Sequence, residues 1–99
     1  MPSKITYPFT NPLWKYSGNG GWYFVSLPKE ISKEIRENFQ WQEEGWGRMS
    51  ATAQIEKIEW KTAIWFDTKH DTYILPVKAE VRKKLQLKEG QELQVKVIL

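Results

Sequence analysis

His70 is the only histidine of the chain, and it lies between Asp67 and Asp71. An imidazole beside a carboxylate is the minimal arrangement for a general base, and three such groups in one loop are the beginning of a metal site. The spacing Asp-Thr-Lys-His-Asp carries no metal-ligand signature, and with no cysteine in the chain there is no thiolate to complete a zinc set. A hydrolytic triad would need a nucleophile on a tight elbow, which the sequence lacks. The run Ser17-Gly18-Asn19-Gly20-Gly21 is not followed by the Lys-Ser/Thr of a phosphate-cradling loop, so it reads as a hairpin turn. Glu43 and Glu44 are adjacent and diverge on extended chain, so they make no acid pair. The expectation is no catalytic residue, no cofactor and no metal, with the balance against an enzyme.

Binding chemistry has better candidates. Met49, Ala51, Ala53 and Ile55 alternate with Arg48, Ser50, Thr52 and Gln54, the period of a half-buried strand. With Lys57-Ile58 as the tip of a hairpin, Ile55 faces Trp60, Ala53 faces Thr62, Ala51 faces Ile64 and Met49 faces Phe66. Arg48, Lys61 and Trp65 then share the outer face, where cations and an indole suit phosphate and a stacked base. The competing reading packs Trp65 under the N-terminal segment and pairs Arg48 with Asp67 directly opposite. A second candidate is a basic helix carrying Lys78, Arg82 and Lys83. Cations near a helix C-terminus also complement its dipole by about 0.3–1 kcal/mol each, with no ligand required.

The elements that must hold these residues follow from local pattern. Residues 1–12 contain Pro2, Pro8 and Pro12 and read as a loosely held arm, leaving 13–99 as one barrel domain. Leu13 to Tyr16 is a strand, and Trp22 to Leu27 is a well-buried one that stops at Pro28. Ile31, Ile35 and Phe39 form one stripe of a helix, and Gln40 to Gly45 connects it to the central hairpin. Thr72 to Leu75 is a strand ended by Pro76. A short helix follows with Val81 and Leu85 on one side, closed at Lys88-Glu89-Gly90. Leu93, Val95, Val97 and Leu99 face inward on the last strand.

Composition bounds the rest. A chain of 99 residues makes one domain with a small core. Six Trp, four Tyr and four Phe supply that core without disulfides. The net charge of +3 is spread along the chain, which permits a polyanion without demanding one. Met1-Pro2-Ser3-Lys4-Ile5 has no apolar leader, and no apolar run approaches the roughly 20 residues of a membrane span. A cytoplasmic protein off the membrane is expected.

Both helices follow the same plan. Leu27-Pro28 leads into Glu30-Ile31-Ser32-Lys33-Glu34-Ile35, and Leu75-Pro76 leads into Glu80-Val81-Arg82-Lys83-Lys84-Leu85. Two such units would pack about a pseudo-twofold axis. The second unit, Tyr73-Ile74-Leu75-Pro76 through Val81-Arg82-Lys83-Lys84-Leu85 and Lys88-Glu89-Gly90 to Val95, resembles the half-barrel of AbrB/MazE-type transcription factors. The whole chain after residue 12 resembles a family of short uncharacterised bacterial proteins found alone or beside YdeI/OmpD-associated domains. That likeness rests on Gly21-Trp22-Tyr23-Phe24-Val25, Leu27-Pro28, Gly47-Arg48, Trp60-Lys61-Thr62 and Tyr73-Ile74-Leu75-Pro76-Val77-Lys78. Two turns depart from it: Glu56-Lys57 stands at the central hairpin tip, and Thr68-Lys69-His70-Asp71 precedes Tyr73, both without the expected glycine.

The resemblance implies a mainly β fold, a double-split β-barrel of about six strands with two short capping helices and both halves in one chain, hence a monomer. The function expected is a non-catalytic binding module for a small ligand or protein partner. The alternative, by analogy with AbrB/MazE-type barrels, is nucleic-acid (DNA) binding.

Overall fold

The computed structural model describes residues 4–18, 20–43 and 45–99. Met1 to Ser3 of the expected arm, Asn19 of the hairpin turn and Glu44 lie outside the described residues. Six strands, β1 (Thr6–Lys15), β2 (Tyr23–Ser26), β3 (Arg48–Ile55), β4 (Ile58–Asp67), β5 (Thr72–Pro76) and β6 (Glu92–Ile98), close into one antiparallel barrel. The order around it is β1-β2-β5-β4-β3-β6. Helix α1 (Lys29–Phe39) follows β2, and α2 (Ala79–Leu85) follows β5. No described helix is long and apolar enough to cross a membrane.

About eight strands leave a barrel interior just wide enough for side chains to fill, and six leave a narrower one. Tyr7, Phe9, Leu13, Val25, Met49, Ala53, Ile64, Tyr73, Leu75, Val95 and Val97 fill it, and Ile35 of α1 and Val81 of α2 join the same cluster. The stripe Ile31, Ile35 and Phe39 therefore lies where its spacing put it. So do the alternations of β3 and β6, with Met49, Ala51, Ala53 and Ile55, and Leu93, Val95 and Val97, all buried.

Residues 6–12, read as part of a loosely held arm, are instead the first seven of the ten residues of β1. They pair with β6 from Thr6↔Ile98 to Pro12↔Glu92. Ile5 and Leu99 exchange both backbone bonds, and the Leu13 N–H donates to Gln91. Odd-numbered residues thus bond to β6, and the nitrogens of Pro8 and Pro12 point away from it. On their other side β2 covers only Leu13 to Lys15. Neither proline displaces a ladder hydrogen bond, which is how a strand can hold both.

The central hairpin pairs Ile55↔Ile58, Ala53↔Trp60, Ala51↔Thr62 and Met49↔Ile64, with Glu56-Lys57 at the tip. The register expected from sequence is shifted by two residues. A shift of two leaves every side chain on its own face, so alternation cannot detect it. The tip is nonetheless where a glycine was missed, and Glu56 sits at φ 53°. Asp71, in the other turn lacking its glycine, sits at φ 59°. Helix α2 ends at Gln86, itself left-handed at φ 54°, and not at Gly90.

β2 and β5 run side by side in the register Val25↔Leu75. Their ends are tied reciprocally: Leu27 N–H donates to Tyr73 O and Val77 N–H donates to Tyr23 O, both at 2.9 Å. Each helix starts two residues beyond its tie.

Candidate functional site

Strand side chains alternate, so the residues between core positions face outward. Around one side of the barrel these outward residues are apolar. Trp14 of β1 is opposite Phe24 of β2. Ile74 of β5 is opposite Ser26 on one side and Trp65 of β4 on the other. Phe24 and Ile74 are only 5% and 9% exposed, yet they lie outside the interior cluster. Their cover comes from neighbouring rings on the outer wall.

Phe24 is the centre of that cover. Trp14 lies 5.1 Å from it, Trp65 lies 5.7 Å away edge-on, Tyr16 meets it at 6.4 Å, and Trp22 stacks parallel at 6.1 Å. Trp22 and Trp65 also meet edge to face at 5.7 Å. The Trp14 indole N–H donates to Ser26 Oγ at 2.9 Å, which fixes the ring's orientation.

The β1–β2 hairpin holds Tyr16 and Trp22 in place. Tyr16 N–H donates to Trp22 O at 2.8 Å. A Cβ on Gly18 would fall 2.2 Å from the Tyr16 ring, and one on Gly20, at φ 105°, would fall 2.9 Å from the Trp22 indole. These two glycines let both rings lie back across the turn. Trp22 is 47% exposed, which corrects its expected burial: it has the outward parity of Phe24, not that of Tyr23 and Val25.

The facing wall is the β4–β5 loop. Asp67 accepts from the Lys69 N–H at 3.1 Å and contacts His70 Nδ1 at 2.6 Å. Between the two walls is a cleft of about 800 Å³, floored by Trp14, Phe24, Trp65 and Ile74, with Asp67, Lys69 and His70 at its rim. Its size falls within the roughly 300–1,000 Å³ of small-molecule sites. His70 thus reaches a cleft with an oriented imidazole, but Ser17, which lines the same cleft, makes no hydrogen bond to it among the described residues. Among the described residues no group of three or more His, Cys, Asp or Glu is placed to hold a metal ion.

The residues proposed from sequence divide differently from their expected grouping. Arg48, Lys61 and Trp65 do share the outer face, but Trp65, not Asp67, stands opposite Arg48. Lys61 pairs with Thr52, four positions along the strand, or about 13 Å away. Trp65 packs on Trp22 and Phe24 and not under the N-terminal segment. Lys61 instead joins Lys78 and Arg82 of the basic helix candidate in a separate groove of about 370 Å³, with Gly20, Gly21, Trp22 and Tyr23. Lys83 lies outside that groove's lining. Arg82 is held by its Nε–H donating to Val77 O at 3.1 Å and by its guanidinium 4.0 Å above the Tyr23 ring.

Trp14, Tyr16, Trp22 and Phe24 were missed as site residues. Their signal was parity: each is even-numbered, on or next to strands whose core positions Leu13 and Val25 are odd. The fold and cleft define a small closed β-barrel domain with an aromatic recess on its outer wall. Residues 9–97 match the family described as a domain of unknown function (DUF1905), and the chain belongs to that family. A comparison with curated proteins finds no match.

Proposed function

We propose that this domain is a non-catalytic binding module whose small-molecule ligand seats in the aromatic cleft. The observation that carries this reading is Trp22, a large indole left half exposed while its neighbours Phe24 and Ile74 are sealed beneath the same wall. Leaving apolar area in water forgoes about 25 cal/mol per Å². The concave shape favours a small planar ligand over a flat protein surface, and the module works as a monomer in the cytoplasm.

The test is a thermal-shift screen of planar apolar compounds against the wild-type chain and Trp22→Ala. A ligand at a hundred times its Kd stabilises by about 2.7 kcal/mol, which raises the Tm of a domain this size by roughly 10–20 °C. The expected result is a hit whose shift collapses in Trp22→Ala. Hits that bind the variant equally well place the ligand elsewhere and end the proposal.

Within the same reading the barrel is a double-split one, made of two half-barrel repeats about a pseudo-twofold axis. Supporting it are the reciprocal ties Leu27–Tyr73 and Val77–Tyr23, and helices that start at Lys29 and Ala79 immediately after them. The strand order also maps onto itself when β1 exchanges with β4, β2 with β5 and β3 with β6. The nucleic-acid reading has one observation in its favour, the gathering of Lys61, Lys78 and Arg82 into a single groove.

A further inference from the structure

Trp22 lines both the aromatic cleft and the basic groove, so the two recesses adjoin across a single indole. From this juxtaposition we infer that they are halves of one site for a planar aromatic group bearing an anionic substituent, of which a nucleoside phosphate is the commonest form. The inference rests on the cleft being a ligand site and adds the chemistry of the ligand.

The aromatic half supplies ring faces at Trp22 and Trp65, and base–aromatic stacking of this kind contributes about 1–3 kcal/mol per base without reading its identity. The groove supplies the charge. Lys61, Lys78 and Arg82 line it, together with the Thr62 hydroxyl-bearing side chain, and among the described residues no carboxylate-bearing one does. Lys61 has no ion-pair or hydrogen-bond partner among the described residues. Among the described residues Lys78 has only Glu80, at 3.9 Å between two exposed side chains, a pair that an incoming phosphate displaces at little cost. Arg82 is pinned by Val77 O and the Tyr23 ring, so its remaining N–H donors are oriented before any ligand arrives. A neutral ring would leave these cations unused, and a free anion would leave the stacking surface bare.

Calorimetry on the full chain tests this with adenosine monophosphate, adenosine, inorganic phosphate and a single-stranded oligonucleotide, each at low and high salt. The monophosphate should bind at least roughly tenfold tighter than adenosine, the value of one charge-assisted hydrogen bond. Lys61→Gln and Lys78→Gln, both at exposed positions, should remove most of that difference while leaving adenosine binding and the Tm unchanged. Trp22→Ala should weaken both nucleoside ligands. Equal affinity for adenosine and its monophosphate, or indifference to both lysine variants, overturns the joined site while the aromatic cleft stands. Absence of binding by both adenosine and its monophosphate overturns the joined site, and the thermal-shift screen with Trp22→Ala then decides the aromatic cleft by itself. A single strand that binds more tightly than the monophosphate, with a steeper salt dependence, identifies a strand as the source of the base and phosphate; equal affinities identify the free nucleotide.

Discussion

Trp22 lies parallel to Phe24, with ring centroids 6.1 Å apart and planes 8° from coplanar, yet Phe24 is 5% exposed and Trp22 47%. The two rings occupy successive outward positions around β2, one supporting and the other presented. Stability and recognition should therefore separate between them. Phe24→Ala is expected to cost about 3 kcal/mol in urea unfolding, in the range for a buried aromatic. Trp22→Ala should cost about 1 kcal/mol or less while removing the presented face. A Trp22→Ala loss as large as that of Phe24→Ala would show the indole to be a structural cover.

Glu56 and Asp71 both occupy left-handed backbone at turns where glycine was expected. That conformation costs an ordinary L residue about 1–2 kcal/mol, and Asp less than Glu because its short side chain bonds locally. Glu56→Gly should accordingly raise the unfolding free energy by up to about 1 kcal/mol, and Asp71→Gly should change it little. Equal gains at both turns would refute the distinction between the two side chains.

Two buried hydroxyls near Tyr73 have opposite fortunes. Ser32 Oγ accepts the Tyr73 backbone N–H at 3.0 Å, fastening α1 to β5. Thr72 Oγ1 is buried without a hydrogen-bond partner among the described residues. Ser32→Ala leaves a buried N–H unpaired and should destabilise by about 1–3 kcal/mol, whereas Thr72→Val should be neutral or stabilising. Thermal melts check the pair: Ser32→Ala should melt well below wild type and Thr72→Val at or above it.

The Tyr73 hydroxyl donates to Glu43, and its pKa is raised, first by burial and then by the bond to that carboxylate and its charge; Arg36 acts weakly against this. Tyr7 is raised too, by burial and then by Glu34. A raised tyrosine pKa favours the protonated native form. The stability it contributes is complete below the unfolded value near 10 and is lost as pH climbs above it. Unfolding free energy should fall steeply in alkali, and Tyr73→Phe should flatten that fall despite a lower plateau at neutral pH. An unchanged alkaline limb in Tyr73→Phe would show that another group sets it.

Strands and helices whose patterns are periodic were legible in the sequence: β3, β6 and the Ile31-Ile35-Phe39 stripe fall where their spacing places them. The full length of β1 was not, because Pro8 and Pro12 disguise it. Their missing donors matter only on a side that bonds, and which side bonds depends on partners 80 to 88 residues away, Glu92 for Pro12 and Lys96 for Pro8, which only the fold brings alongside. The site was legible in its types and not in its grouping. Lys61 and Arg82 come from different strands and helices and meet only because β4 and β5 are neighbours. The aromatic recess was hidden because a dense aromatic run has the composition of core, although alternate members of Trp22-Tyr23-Phe24-Val25 face opposite ways.

Ile5 and Leu99 exchange both of their backbone hydrogen bonds at the open end of the β1–β6 ladder. Tension applied between those two residues would therefore load the ladder one rung at a time, as a zipper is opened, and never all rungs together in shear. The barrel's chemical stability and its mechanical strength along this axis are thereby uncoupled: a domain slow to unfold in denaturant would still part readily when drawn apart at Ile5 and Leu99.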